Sequence, residues 1–130
     1  MMILGHGVDI IEVARIRTMI DDHADRFLER CFTQGERAYA ESRKRSAEHL
    51  AGRFAAKEAV LKALGTGWRD GIAWTDVEVV VLPSGQPEVR LHGIAHETAM
   101  RRGIRSWSLS ISHTEVHAVA SAIATGDAGI

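Results

Sequence analysis

Apolar residues alternate with small or polar ones through the opening stretch MMILGHGVDII. The alternation predicts a first strand with Leu4, Val8 and Ile10 on one face and Ile3, Gly5, Gly7, Asp9 and Ile11 on the other, which sets Asp9 among small and apolar neighbours. From Glu12 to about Arg30 the period changes: Val13, Ile16, Ile20, Ala24 and Phe27 recur at helical spacing, with a break expected near Asp21 and Asp22, where a second N-cap fits. TQGE, Thr33 to Glu36, is a capping-box pattern that opens a short helix through about Ser42. Ser46 is the expected cap of a long helix running to Leu64, and Gly65-Thr66-Gly67 supplies its left-handed exit.

The second half reads as sheet. DVEVVVL and EVRL form a hairpin across the turn PSGQP, and IAHETAMRR is a helix stopped by Gly103. RSWSLSISH places Trp107, Leu109 and Ile111 on one face and Ser106, Ser108, Ser110 and Ser112 on the other, and HAVASAIAT pairs with it as a last antiparallel strand across a turn at Thr114-Glu115. The expectation is an α+β fold in which an antiparallel sheet packs against a long central helix. One hundred and thirty residues suit one domain, large enough for a core but small enough to borrow surface from a neighbouring subunit for a site.

The long helix poses a chemical question. On a wheel centred on Phe54, Leu50 and Leu61 lie within about 40°, and Glu58 falls about 40° to the other side, inside the apolar stripe. An unpaired carboxylate there is costly. Lys62, one turn later, would form a rim ion pair contributing about 0.2–0.5 kcal/mol.

Charge narrows the reading without deciding it. The composition, 45% hydrophobic and 25% charged with a net charge of -1, excludes a disordered chain and gives no global attraction to nucleic acid. Between Arg43 and Lys62, however, Arg43, Lys44, Arg45, Arg53, Lys57 and Lys62 face only Glu48 and Glu58 as acids, a local surplus suited to an anionic partner or to a solvated face. Cys31 is the single cysteine, so no intrachain disulfide forms, and it reads as a small packed side chain. The start lacks the basic region and cleavage site of a secretion signal, and no stretch approaches membrane-spanning length, so a cytoplasmic protein without membrane contact is expected.

Several familiar motifs fail on their mechanics. GHG lacks the third glycine of a dinucleotide fingerprint, and GTG follows a helix where a phosphate cradle precedes one. His92 and His96 have zinc-ligand spacing but no third ligand, and there is no nucleophile elbow for a hydrolase triad. What remains is Asp9 and Glu58 in apolar settings, with Lys62 and the basic segment alongside. Two hard oxygen ligands completed by water and phosphate describe a magnesium site with a held diphosphate. Two unrelated structural ion pairs describe the same residues.

GVDIIEVARI (Gly7 to Ile16), FTQGERAYAES (Phe32 to Ser42), LAGRFAAKEAVLKALGTG (Leu50 to Gly67) and SISHT (Ser110 to Thr114) resemble, in order, the motifs of the holo-acyl-carrier-protein synthases, the small single-domain group of 4′-phosphopantetheinyl transferases. The resemblance implies that fold and the transfer of 4′-phosphopantetheine from coenzyme A to a serine of apo acyl carrier protein, with release of adenosine 3′,5′-bisphosphate, as used in fatty acid biosynthesis. It implies that Asp9 and Glu58 bind magnesium and that Lys62 neutralises the coenzyme's diphosphate. By the same resemblance Arg53, His113 with Thr114, and the backbone of Gly65, Thr66 and Gly67 hold the adenosine end and 3′-phosphate, with Arg45 and His49 as helpers. Arg15 would meet the acidic helix of the carrier protein, together with Arg26 and Phe27. The family's assembly implies a homotrimer with sites between subunits. Two routes stay open for the serine proton, to Glu58 through a bound water or directly to solvent. Two other functions stay open as well: a noncatalytic coenzyme A or nucleotide-binding module, and a magnesium-dependent nucleotide hydrolase.

Overall fold

A row of alanines sets the architecture. In α3 (Ser46–Leu64) Ala51, Ala55, Ala59 and Ala63 recur every fourth residue and so share one face. They meet a sheet equally poor in side chains, in which β1 (Met2–Glu12) offers Gly5 and Gly7 and β5 (His117–Gly126) offers Ala118, Ala120, Ala122 and Ala124, all four buried. A Cβ on Gly5 would collide with the Ala63 carbonyl oxygen, and one on Gly7 with that of Ala59. Helix and sheet backbones therefore approach more closely than ordinary side chains permit.

The computed structural model describes residues 1–67 and 71–127. After β1, α1 (Val13–Cys31) and α2 (Gln34–Glu41) lead into α3; β2 (Val77–Val81) and β3 (Pro87–Leu91) follow a short 3-10 turn at Trp74–Asp76; then come α4 (Gly93–Arg101), β4 (Ile104–His113) and β5. The main sheet is antiparallel in the order β1-β5-β4, with Asp9 opposite Ala120 and Leu109 opposite Ala122, and β2 and β3 form a separate hairpin. One face of the main sheet packs on α3. The other carries Val8 and Ile10 exposed and Val119 and Ile123 half-buried, beside the serines of β4.

Most elements match the sequence pattern. Thr33 and Glu36 form the reciprocal capping box of α2, and Gly65 leaves α3 in the left-handed region at φ 78°. Three details differ. The break in α1 falls at Ala24 (φ 45°, ψ -122°), and Asp21 and Asp22 stay within the helix. Arg45, with φ -106° and ψ 57°, occupies the N-cap position of α3, which makes Ser46 its first helical residue, one position too late to cap. The wheel of α3 also misreads its open side. β1 and β5 cover it on one side and α1, α2 and β2 on others, so it is buried nearly all round. The line Phe54, Glu58, Lys62 is left half-buried to exposed.

Candidate active site

Asp9 enters the site because the glycines before it bring the helix down onto β1. Gly5 lies under Ala63 and Gly7 under Ala59, where its Cβ would stand 2.9 Å from Cβ of Lys62. Two strand residues span about 6.6 Å and one helical turn about 5.4 Å, so the next inward strand position, Asp9, falls beside the turn before Ala59. Glu58 is on that turn. Lys62 extends from the same helix line, with Nζ 3.1 Å from Oδ1 of Asp9 and donating to the Val8 carbonyl at 2.8 Å. The Asp9 side chain is 19% exposed and that of Lys62 54%, so the pair sits at the mouth of the site and contributes little to stability.

The donor chemistry suits a hard divalent cation. Among the described residues no group of three or more His, Cys, Asp or Glu assembles to cage a metal. A pair of carboxylates leaves the rest of an octahedral shell to water and substrate oxygens, the pattern magnesium favours. Oδ1 of Asp9 already faces an ammonium, evidence that this oxygen lies where a cation is accommodated. His92 is the N-cap of α4 and bonds Oε1 of Glu78 at 2.9 Å, which gives it a structural partner.

A groove of about 590 Å³ adjoins the carboxylates. Ile11, two residues after Asp9, and Phe54, one turn before Glu58, belong to its walls, while α1 contributes Arg15, Met19, His23, Arg26 and Arg30. Arg15 and Arg26 are exposed on this helix. Phe27 is only 5% exposed and is part of the core, its ring 5.7 Å from Phe32 and 6.4 Å from Phe54, so it offers a partner the groove's floor and little more. Cys31 also lines the floor, and burial pushes its thiol above the usual range.

A second cluster gathers at the other end of α3. The Arg53 guanidinium lies 4.4 Å from the Tyr39 ring centroid and that of Arg43 4.5 Å from the same ring. Arg53 is 5% exposed, its Nε has no hydrogen-bond partner, and burial lowers its affinity for a proton. The His49 ring stands 5.6 Å from Tyr39 and 5.2 Å from His113, and its pKa is lowered first by burial, then by Arg53, His113 and Arg43. Thr114 follows in the β4-β5 turn, where its hydroxyl accepts the N–H groups of Val116 and His117. Glu48 joins this cluster through Nδ1 of His113 at 3.0 Å.

In one chain these residues and the Gly65–Gly67 turn stand apart. At 1.5 Å per residue the helix separates Arg53 from Gly65 by about 18 Å and Arg45 from Lys62 by about 25 Å. Lys57 departs from the expected basic face altogether. It is fully buried, with Nζ 2.8 Å from Oε1 of Glu36 and donating to the Trp74 carbonyl at 3.1 Å and to that of Val77. Burial lowers its pKa while Glu36 pulls it up. Glu36 also accepts the Thr33 and Val79 N–H groups, both at 2.8 Å, so the pair ties α2, α3 and β2 together. Glu36, Glu48 and Tyr39 were not singled out from the sequence. TQGE revealed Glu36 only as a cap, and no local pattern links Glu48 to a histidine 65 residues on.

Comparison with known proteins places the chain in a family. Residues 5–120 match the 4′-phosphopantetheinyl transferase superfamily, a span that includes Asp9, the whole of α3 and His113. A holo-[acyl-carrier-protein] synthase of Solibacter usitatus is 47% identical over 122 residues, 94% of this chain and 98% of that protein. The holo-[acyl-carrier-protein] synthase structure from Neisseria meningitidis superposes with a TM-score of 0.86 at 33% identity, covering 95% of this chain and 99% of that one. The Bacillus anthracis enzyme, in complex with CoA (3′,5′-ADP), gives a TM-score of 0.80 at 38% identity over 98% and 100% of the two chains. The chain belongs to the 4′-phosphopantetheinyl transferase superfamily. Within it the chain is an enzyme of the holo-acyl-carrier-protein synthase family.

Proposed function

We propose that the chain transfers the 4′-phosphopantetheine arm of coenzyme A to a serine of apo acyl carrier protein, with Asp9, Glu58 and Lys62 at the reacting phosphates. The observation that carries the residue assignment is the contact of Lys62 with Asp9, one helical turn from Glu58, with Ile11 and Phe54 beside them lining a groove that α1 edges with arginines. The serine hydroxyl attacks the phosphorus that bears pantetheine. The bond from that phosphorus to the bridging oxygen of the diphosphate breaks, and adenosine 3′,5′-bisphosphate leaves with the oxygen. The serine proton passes to Glu58 through water or to solvent. Asp9 and Glu58 would hold a magnesium ion, whose contribution when bound is to neutralise charge on the diphosphate. Lys62 adds a mobile ammonium to the same task. Arg15 and Arg26 attract an acidic carrier helix to the groove, and the basic cluster around Arg53, with Arg45, His49, His113 and Thr114, receives the coenzyme's 3′-phosphate.

The site is shared between subunits of a homotrimer. Support comes from the length of α3, since one adenosine cannot touch both Arg53 and the Gly65–Gly67 turn of the same helix. It comes also from the uncovered sheet face with Val8, Ile10, Val119 and Ile123, an apolar patch of the kind that marks an interface. The role is placed in the cytoplasm, in fatty acid biosynthesis; no helix among the described residues is long and apolar enough to cross a membrane.

The test is incubation with coenzyme A, magnesium and apo acyl carrier protein, followed by intact mass of the carrier. Gain of one 4′-phosphopantetheine is expected. Coenzyme binding without a gain would point to a binding module, and breakdown of coenzyme A in the absence of carrier to a hydrolase.

A further inference from the structure

Glu48 is a carboxylate with an unusual setting for the first turn of a helix: its side chain is 4% exposed. Burial on that scale is unfavourable unless the oxygens are engaged. Oε1 accepts from Nδ1 of His113 at 3.0 Å, and Oε2 lies 3.9 Å from Nε of Arg45. Its two oxygens thus divide between two of the groups assigned above to the 3′-phosphate. With Nδ1 engaged, the imidazole of His113 is held at one orientation and Nε2 points away from the carboxylate. Without Glu48, His113 at the end of β4 would be free to turn about its side-chain bonds.

The charge balance of the cluster is consistent with such a role. Arg43 and Arg53 both lie over the Tyr39 ring, 4.5 and 4.4 Å from its centroid, Arg45 lies beside Glu48, and His49 packs between Tyr39 and His113. Three guanidiniums against one carboxylate leave a surplus that a phosphate carrying about two negative charges would match. Arg53 retains a buried Nε without a partner, so the cluster is not closed on itself.

We infer that Glu48 is a positioning residue for coenzyme recognition, orienting His113 and Arg45 so that the enzyme distinguishes coenzyme A from 3′-dephospho-coenzyme A. The inference rests on the assignment of this cluster to the 3′-phosphate. Glu48 itself touches no substrate and repels a phosphate, so its contribution acts through its two partners.

The experiment measures KM and kcat for both donors, at saturating apo carrier protein, in the wild type and in Glu48→Ala, Glu48→Asp and Glu48→Gln. The wild type should show the lower KM for coenzyme A. Glu48→Ala should raise that KM about tenfold while the KM for the dephospho donor moves much less, so that their ratio approaches one. Glu48→Asp keeps the charge but withdraws it by one methylene and should lose most of the preference, whereas Glu48→Gln keeps an acceptor for Nδ1 and should retain most of it. The contrast between Asp and Gln decides the matter even if the alanine variant does not fold. An unchanged ratio in Glu48→Asp, or equal rises of both KM values, overturns the positioning role and leaves Glu48 a tether of β4 to α3. A wild type that transfers from both donors equally well overturns the assignment of the cluster to the 3′-phosphate and the inference with it. Carrier modification by the wild type, read separately by mass, reports whether the transfer reaction itself stands.

Discussion

Lys62 Nζ contacts Oδ1 of Asp9 at 3.1 Å across 53 residues of sequence, joining the exposed line of α3 to the inward face of β1. The contact defines where positive charge is held against the strand. Glu58 stands one turn back on the same line of the helix, and one turn further back Phe54 lines the groove.

Neutralising either carboxylate should remove function and spare the fold. Asp9→Asn and Glu58→Gln keep size and polarity, and Asn retains an oxygen for Lys62, while the negative charge a divalent ion requires is gone. Each variant should lose at least about 100-fold in kcat. Magnesium titrations of activity with parallel thermal melts provide the check. Near-normal activity at the wild-type magnesium level would return that residue to an ordinary ion-pair role.

Reversal of charge on α1 should act on the other substrate. Arg15 is exposed at the groove, so Arg15→Glu should raise KM for the carrier protein about tenfold at low salt, with a smaller effect as screening increases. The KM for coenzyme A should move little. A carrier KM insensitive to the substitution at low salt would make Arg15 a surface residue without a partner.

Element types were legible in this chain because local chemistry and tertiary demand agree: the capping box at Thr33 and Glu36, the left-handed Gly65 and the alternation of β4 all reappear. The depth of α3 was not. A wheel assumes one wet face, yet the Ala51-Ala55-Ala59-Ala63 row packs against glycine and alanine strands while other elements close over the opposite side. Lys57 and Glu58, adjacent in sequence, consequently have opposite fates, one fully buried on Glu36 and the other on the open line. GHG shows the same limit. Its glycine Gly7 serves close backbone approach to Ala59, a reason visible only once helix and strand are placed together. Asp9 and Glu58 stood out in the sequence as two carboxylates among apolar residues, whereas Glu48 became meaningful only through its contact with His113.

The buried pair makes a sharp statement about stability. Both side chains of Glu36 and Lys57 are fully buried, so Lys57→Met leaves a carboxylate without its counter-charge and should cost about 3–5 kcal/mol. The double variant Glu36→Gln/Lys57→Met should regain part of that loss, because no bare charge remains. Urea denaturation of the two variants decides it. A double variant no more stable than Lys57→Met would mean that the hydrogen bonds of Glu36 to Thr33 and Val79 outweigh its ion pair.

Acid should weaken the link between the α2 cap and α4. Burial alone would raise the pKa of Glu78, but the hydrogen bonds from His92 and Thr33 outweigh it and hold the carboxyl below its ordinary range. A depressed carboxylate contributes stability that is present above its unfolded pKa of about 4.3 and lost as pH falls through the folded value. The stability gap between wild type and Glu78→Gln should therefore narrow as pH drops below about 4.3. Denaturation curves at neutral pH and through the acid range test this, and a gap that stays constant to the lowest pH would remove Glu78 as its source.

The outer face of the sheet carries the last prediction. Ile10 is 65% exposed and Val8 49%, and Ile10 pairs with Val119 in the β1-β5 register, so their side chains share the face turned away from α3. In the proposed trimer this face is the seam between copies. Ile10→Asp places a charge on the patch without touching the Ala59 and Ala63 contacts beneath Gly5 and Gly7. The variant should stay folded, sediment as a smaller species and lose most of its transfer activity, with a KM for coenzyme A raised along with the drop in kcat because the two halves of the site are separated. Sedimentation velocity and kinetics on the same samples are the check. A monomeric Ile10→Asp protein with full activity would show that one chain holds the complete site, and the division of coenzyme contacts between subunits would have to be abandoned.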